Sequence, residues 1–133
     1  MPVCKEPEQS DFRIYTTSAN GYVFYVGMGR EARATDRVRW TKYCVRREAA
    51  GQEAKWSMNT RVIARLLKRG IEPELKFVTC KMPRQEALRR EKKLIRKLYA
   101  EGAVLANRTH NDGQAGITVE RVVRAIYAAG RAS

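Results

Sequence analysis

The sequence predicts an α+β fold, with short strands grouped early in the chain and helices following in separate runs. Three observations predict it. Phe12 to Thr17 and Tyr22 to Gly27 are β-branched and aromatic runs on either side of Asn20-Gly21, a strong hairpin signal. Leu75 to Cys80 is a third such run, apolar at Leu75 and Phe77. Three later or intervening segments instead carry apolar residues at helical spacing. With 133 residues, 44% of them hydrophobic, one domain can bury an ordinary core unaided.

Taken in order, residues 1–11 hold two prolines and mixed charge and are expected to form a mobile arm. Hairpin register then decides which way the strand tyrosines face. A two-residue loop would put Tyr15 and Tyr25 on opposite faces. A three-residue loop, Ala19-Asn20-Gly21, would pair Ser18 with Tyr22 and set Tyr15 across from Tyr25. That loop places Gly21 where a left-handed residue is wanted, so the three-residue register is predicted. A basic helix is expected from Ala32 to Val45, and a loop from Glu48 to Lys55. Ser57 is a suitable N-cap for a helix whose stripe is Val62, Ile63, Leu66 and Leu67, with Gly70 as its stop. Pro83 suits the start of a helix running to Tyr99, and Gly102 lies just past it. Asn107 to Gly116 is read as a loop. Thr118 caps a last helix, 117–133, with Val119, Val122, Val123, Ile126 and Tyr127 on one side.

The chain carries 27 Lys+Arg against 14 Asp+Glu, a formal net charge of +13. Such a field concentrates polyanions, nucleic acid before anionic membrane. Cys4, Cys44 and Cys80 are odd in number and widely spaced, which speaks against a disulfide framework or a zinc site and favours a reducing cytoplasm. There is no leader-like apolar segment at the start and no stretch long enough for a membrane span. Walker, GxGxxG and nucleophile-elbow patterns are missing, which disfavours nucleotide hydrolysis and acyl transfer.

Glu91 is the sharpest single feature. The inward stripe of its helix is expected to be Ala87, Leu88, Leu94, Ile95 and Leu98, and Glu91 falls in its middle. A buried carboxylate costs several kcal/mol unless a cation compensates. That cation is either an arginine side chain or a metal ion bound through one carboxylate and water. Glu86 shares the other face with Arg90, Lys93 and Lys97 and reads as a solvated i, i+4 partner. Tyr15 and Tyr25 are either a proton-transfer pair or ordinary cross-strand packing. Arg33 and Arg37 are placed to hold a phosphate, while Arg30, Arg39, Lys42, Arg61 and Arg65 are assigned to nucleic-acid contact. Asn107 fixes either a phosphate or its own loop. His110 stands alone, and Trp40, Trp56, Tyr43 and Tyr22 are candidates for base stacking or core packing.

From Phe12 to Gly116 the order of these parts resembles the GIY-YIG nuclease superfamily. Arg13-Ile14-Tyr15 looks like its first motif, with Arg in place of Gly, and Tyr25-Val26-Gly27 looks like its second. Arg33 falls at the family's arginine, Asn59 leads an apolar helix, Glu91 stands at the glutamate, and Asn107 is similar to the final asparagine. The resemblance implies a small three-stranded antiparallel sheet flanked by helices, with the last helix added outside a 12–116 domain. It also implies metal-dependent DNA cleavage by water, with Mg²⁺ or Mn²⁺ on Glu91, Tyr25 as general base, Tyr15 positioning the water and Arg33 holding the phosphate. Arg37 departs from the His or Tyr of many members. The alternative is a nucleic-acid-binding module with the same fold and little or no turnover; a third possibility is an interaction protein docking through the last helix. DNA is the expected partner, with no membrane. The last helix is expected by default to pack on the core, with a homodimer through it or DNA contact through Arg121, Arg124 and Arg131 as the alternatives. Residence in the cytoplasm, that of a host cell for a phage or mobile-element product, is a further expectation.

Overall fold

The computed structural model describes residues 11–30, 57–107 and 117–132, together with 39, 41, 42, 45 and 46. The expected arm, most of the expected 32–45 helix and the 108–116 loop lie outside these residues; Arg39, Thr41, Lys42, Val45 and Arg46 are helical. Strands β1 (Arg13–Ala19), β2 (Tyr22–Gly29) and β3 (Glu74–Phe77) form an antiparallel sheet of order β2-β1-β3. Helices α1 (Met58–Lys68), α2 (Arg84–Ala100) and α3 (Val119–Ala132) pack around it. The α+β class and the three-stranded sheet are as expected.

The hairpin corrects the expected register. Asn20 and Gly21 both adopt positive φ, 54° and 75°, so the loop has two residues and Ala19 pairs with Tyr22. Asn tolerates this conformation, and two such residues match the twist of the flanking strands. Left there, Tyr15 and Tyr25 would face apart. They do not, because the register shifts between Thr17 and Ser18, whose partners are Tyr25 and Val23. Phe24 is the extra residue of this β-bulge, and it is fully buried against Ala19, Leu66 and Ile126. Beyond the bulge Tyr15 pairs with Gly27 and Thr17 with Tyr25, which returns both tyrosines to one face.

Strand β3 is shorter than the run Leu75 to Cys80 predicts. The Val78 amide still donates to the Ile14 carbonyl at 2.9 Å, but the Ile14 amide is met by the Thr79 hydroxyl at 2.9 Å. A side chain has taken over from the backbone as acceptor, and the ladder ends there. Arg13 follows the same departure, donating from Nε to the Thr79 carbonyl at 3.1 Å and lying over the Phe77 ring. Cys80 is disulfide-bonded, which corrects the expectation of reduced thiols and removes the cysteine argument for a reducing compartment. Widely spaced cysteines carry no sequence signal for a single bridge. No helix among the described residues is long and apolar enough to cross a membrane.

The helix ends follow their sequence signals. Ser57 Oγ accepts from the Thr60 amide at 3.2 Å, and Gly70 at φ 73° lets the Ile71 amide reach back to the Leu66 carbonyl. Pro83 is the N-cap of α2, and Gly102 at φ 89° closes its end. Thr118 Oγ1 accepts from the Arg121 amide at 3.2 Å.

Two apolar clusters hold the layers. One joins Phe24 and Ala19 to Val62, Ile63 and Leu66 of α1 and to Val122, Val123 and Ile126 of α3. The last helix therefore spends its apolar face on the chain's own core rather than leaving it for a second copy. Asn20 also donates to the Ile126 carbonyl, in a close approach where a Cβ on Gly130 would overlap the Asn20 amide. The second cluster packs Ala87 and Ile95 of α2 on Ile14 and Val26, with Met82 and Leu105. Leu88, expected on the inward stripe, is 40% exposed. It lies about 100° around the helix from Ala87, so the buried line runs Ala87, Glu91, Ile95.

Candidate active site

On the face they share, the Tyr15 and Tyr25 ring centroids are 6.2 Å apart and tilted, and Phe77 meets Tyr15 edge-on at 6.3 Å. These are ordinary aromatic distances, and the cluster braces all three strands. Exposure separates the two phenols. Tyr15 is buried, whereas Tyr25 is half-buried and reaches solvent. Gly27 explains how the Tyr15 ring fits: a Cβ there would fall inside the ring, against Cζ and Oη. The glycine's use here is a bare backbone over which the phenol lies.

Beside this pair, residues 103–107 run along the outer edge of β2. The Val104 amide donates to Tyr22 Oη at 2.7 Å, and the Ala106 amide to the Phe24 carbonyl at 2.6 Å. Asn107 then uses both halves of its amide on one residue: Oδ1 accepts from the Val26 amide at 3.0 Å, and Nδ2 donates to the Val26 carbonyl at 2.6 Å. A carboxamide has the donor and acceptor of a peptide, so it covers the strand edge as another strand would. Of the two roles open to Asn107, holding the loop is the one its contacts fill. Tyr22, a candidate for base stacking, is likewise tied to the fold by its hydroxyl.

Glu91 is 8% exposed. No hydrogen bond or ion pair to it exists among the described residues, so the expected alternative of an arginine partner is not found there. Burial pushes its carboxyl above the ordinary value, since desolvation disfavours the charged form. Among the described residues, Asn59 Oδ1 and Tyr99 Oη are fully sealed without a partner; Glu91 keeps a small part of its surface exposed. Its neighbours one turn away, Ala87 and Ile95, pack with Val26, the residue between Tyr25 and Gly27. Val26 is thus where the glutamate helix and the Asn107 clamp both bear on the tyrosine strand. The cluster that seats α2 lies on the sheet face opposite the phenols.

A cation fits this carboxylate in one form. Among the described residues no three His, Cys, Asp or Glu side chains converge as a metal cage. A single carboxylate suits a hard cation that keeps most of its water, as Mg²⁺ does.

Arg33 and Arg37 lie outside the described residues, as do Trp40, Tyr43, Trp56 and His110. The described cations sit on the surface and several are paired. Arg30 meets Asp11 at 2.8 Å and lies near the Phe12 ring, Lys42 meets Glu72 at 2.8 Å, and Arg65 meets Glu120. Exposed pairs of this kind are weak and open readily to a phosphate. Arg39 and Arg61 are exposed on helices. Glu86 pairs with Arg90 at 3.0 Å, the expected i, i+4 contact. Sequence reasoning missed the bulge at Phe24 and the Gly27 cradle; a fully apolar side chain breaking the alternation of β2 was the available signal for the first. No family model, curated protein or solved structure matches this chain.

Proposed function

We propose that this protein is a metal-dependent endonuclease that hydrolyses phosphodiester bonds in DNA. The observation that carries the proposal is Glu91, a carboxylate buried on a helix face at 8% exposure, with no cation beside it among the described residues. Such a group is costly to keep unless a cation completes it. Mg²⁺ or Mn²⁺ held there through water would supply charge stabilisation at a phosphate and lower the pKa of a bound water.

Within the chain, Tyr25 is the general base, because it is the phenol that solvent and substrate can reach. It passes its phenolic proton to solvent and takes one from the attacking water as the water oxygen bonds to phosphorus; the P–O bond to the leaving sugar oxygen breaks, and that oxygen takes up a proton from a second water. Tyr15, packed between Tyr25 and Phe77 over Gly27, is a positioning residue that fixes the Tyr25 ring. Asn107 sets the backbone from Tyr25 to Gly27 through Val26. Arg33 holds the scissile phosphate, and Arg37 is a second candidate for that role. The net charge of +13 draws the polyanion to the site, with Arg30, Arg39, Lys42, Arg61 and Arg65 contacting backbone phosphates.

The test is supercoiled plasmid incubated with the protein in Mg²⁺, Mn²⁺ or EDTA. Nicked or linear product is expected with either metal, abolished by EDTA and by Glu91→Ala, and reduced about 100-fold by Tyr25→Phe. Folded protein that shifts plasmid on a gel yet yields no product under any metal would replace the nuclease with a DNA-binding module.

A further inference from the structure

We propose that the groove between the sheet and α2 is a docking surface for an acidic amphipathic helix of a partner protein. It is a cavity of about 800 Å³ on the face opposite the tyrosine pair. Its floor is aliphatic. Ile14 and Val23 come from the sheet, Leu94 and Leu98 from α2, and Val78, just past β3, is 44% exposed.

The rim has the opposite character. Arg89, Lys93 and Lys97 follow one another at i, i+4 and i+8 along α2, steps of about 6 Å. Lys76 of β3 stands across from them. All four are exposed, and none has a carboxylate partner among the described residues. Glu86, the single acid among the described lining residues, is taken by Arg90.

Two properties commit the occupant. Four cations unpaired among the described residues call for acidic groups spaced along a helix turn by turn, and the aliphatic floor calls for apolar anchors between them. A DNA backbone meets the first requirement but not the second, because its contacts run to phosphate and sugar and its interfaces are polar. The described lining also offers no aromatic ring on which a base could stack. The groove follows α2 from Glu86 to Leu98, roughly 18 Å, which matches about three turns of a docked helix.

The probe is a fluorescein-labelled two-heptad peptide with leucines at i, i+3, i+4 and i+7 spacing and glutamates elsewhere, read by anisotropy. Its controls are a scrambled peptide of the same composition and a labelled DNA duplex. The amphipathic peptide is expected to bind at least about ten-fold tighter than the scrambled one. Arg89→Glu with Lys93→Glu should weaken it by about ten-fold or more, and so should Val78→Asp, with Val78→Ala as the gentler variant. Lys68→Glu on α1 should change nothing. Circular dichroism confirms that each variant is folded; all these positions are exposed. Equal affinity for both peptides, or indifference to Val78→Asp and Val78→Ala, would overturn the proposal. Loss of duplex binding alone on charge reversal, with no peptide binding, would make the groove a nucleic-acid surface instead.

Discussion

Two polar side chains are buried beside the same strand, and they are treated in opposite ways. Asn107 is 5% exposed and spends its whole amide on the backbone of Val26. Glu91 is 8% exposed, reaches the Val26 neighbourhood through Ala87 and Ile95, and has no partner among the described residues. Burial is common to both, so burial alone does not distinguish structure from function. Satisfaction does. A paired buried amide is a brace, whereas an unpaired buried carboxylate is a cost that the fold does not recover by itself.

The largest expected effect falls on the brace. Asn107→Ala leaves a buried N–H and C=O of Val26 without partners and should cost about 2–4 kcal/mol in urea unfolding. A loss below about 0.5 kcal/mol would mean that water replaces the amide freely and that the edge strip is not a clamp.

Gly27→Ala comes next. Its Cβ would overlap the Tyr15 ring, which must move, at about 1–3 kcal/mol. Under the proposed chemistry the variant also loses cleavage beyond its loss of stability, since the Tyr15 and Tyr25 rings shift together. Unchanged activity in a destabilised variant would reduce Tyr15 to a packing residue.

Glu91→Gln should act in the other direction and stabilise the metal-free protein at pH 7, by about 1 kcal/mol. The sign follows from the raised carboxyl. Between the ordinary glutamate value and the raised folded value the native state holds the proton and the unfolded state does not, so stability falls as pH rises through that window. The penalty is complete above it and absent below the ordinary value. The advantage of Glu91→Gln should therefore shrink as the pH is lowered to 4. The smallest effect belongs to Arg65→Ala, an exposed partner of Glu120 joining α1 to α3, at less than about 1 kcal/mol.

Much of this contrast was legible in the sequence. Glu91 stood out because a charge interrupts a helical apolar stripe, and the buried line Ala87, Glu91, Ile95 bears that out. The caps at Ser57, Gly70, Gly102 and Thr118 were equally readable, since each is a local preference with a local cause. The hairpin was half readable. Asn20-Gly21 marks the turn, but the register depends on a bulge that exists because Phe24 belongs in the core beneath α1 and α3, a tertiary cause. The pair of hydrogen bonds between Asn107 and Val26 spans 81 positions, and the cradle of Gly27 depends on where one ring lies; no local pattern encodes either. The fold departs from sequence expectation wherever a distant side chain makes the choice.

The most direct measurement is thermal unfolding of wild-type protein and Glu91→Gln at pH 7 across a Mg²⁺ titration, with Mn²⁺ in parallel. A ligand that binds only the folded state raises the midpoint in proportion to the logarithm of its excess. A rise confined to the wild type, alongside a higher metal-free midpoint for Glu91→Gln, is the predicted result. Identical responses of the two proteins to both metals would contradict it and remove Glu91 as the metal ligand.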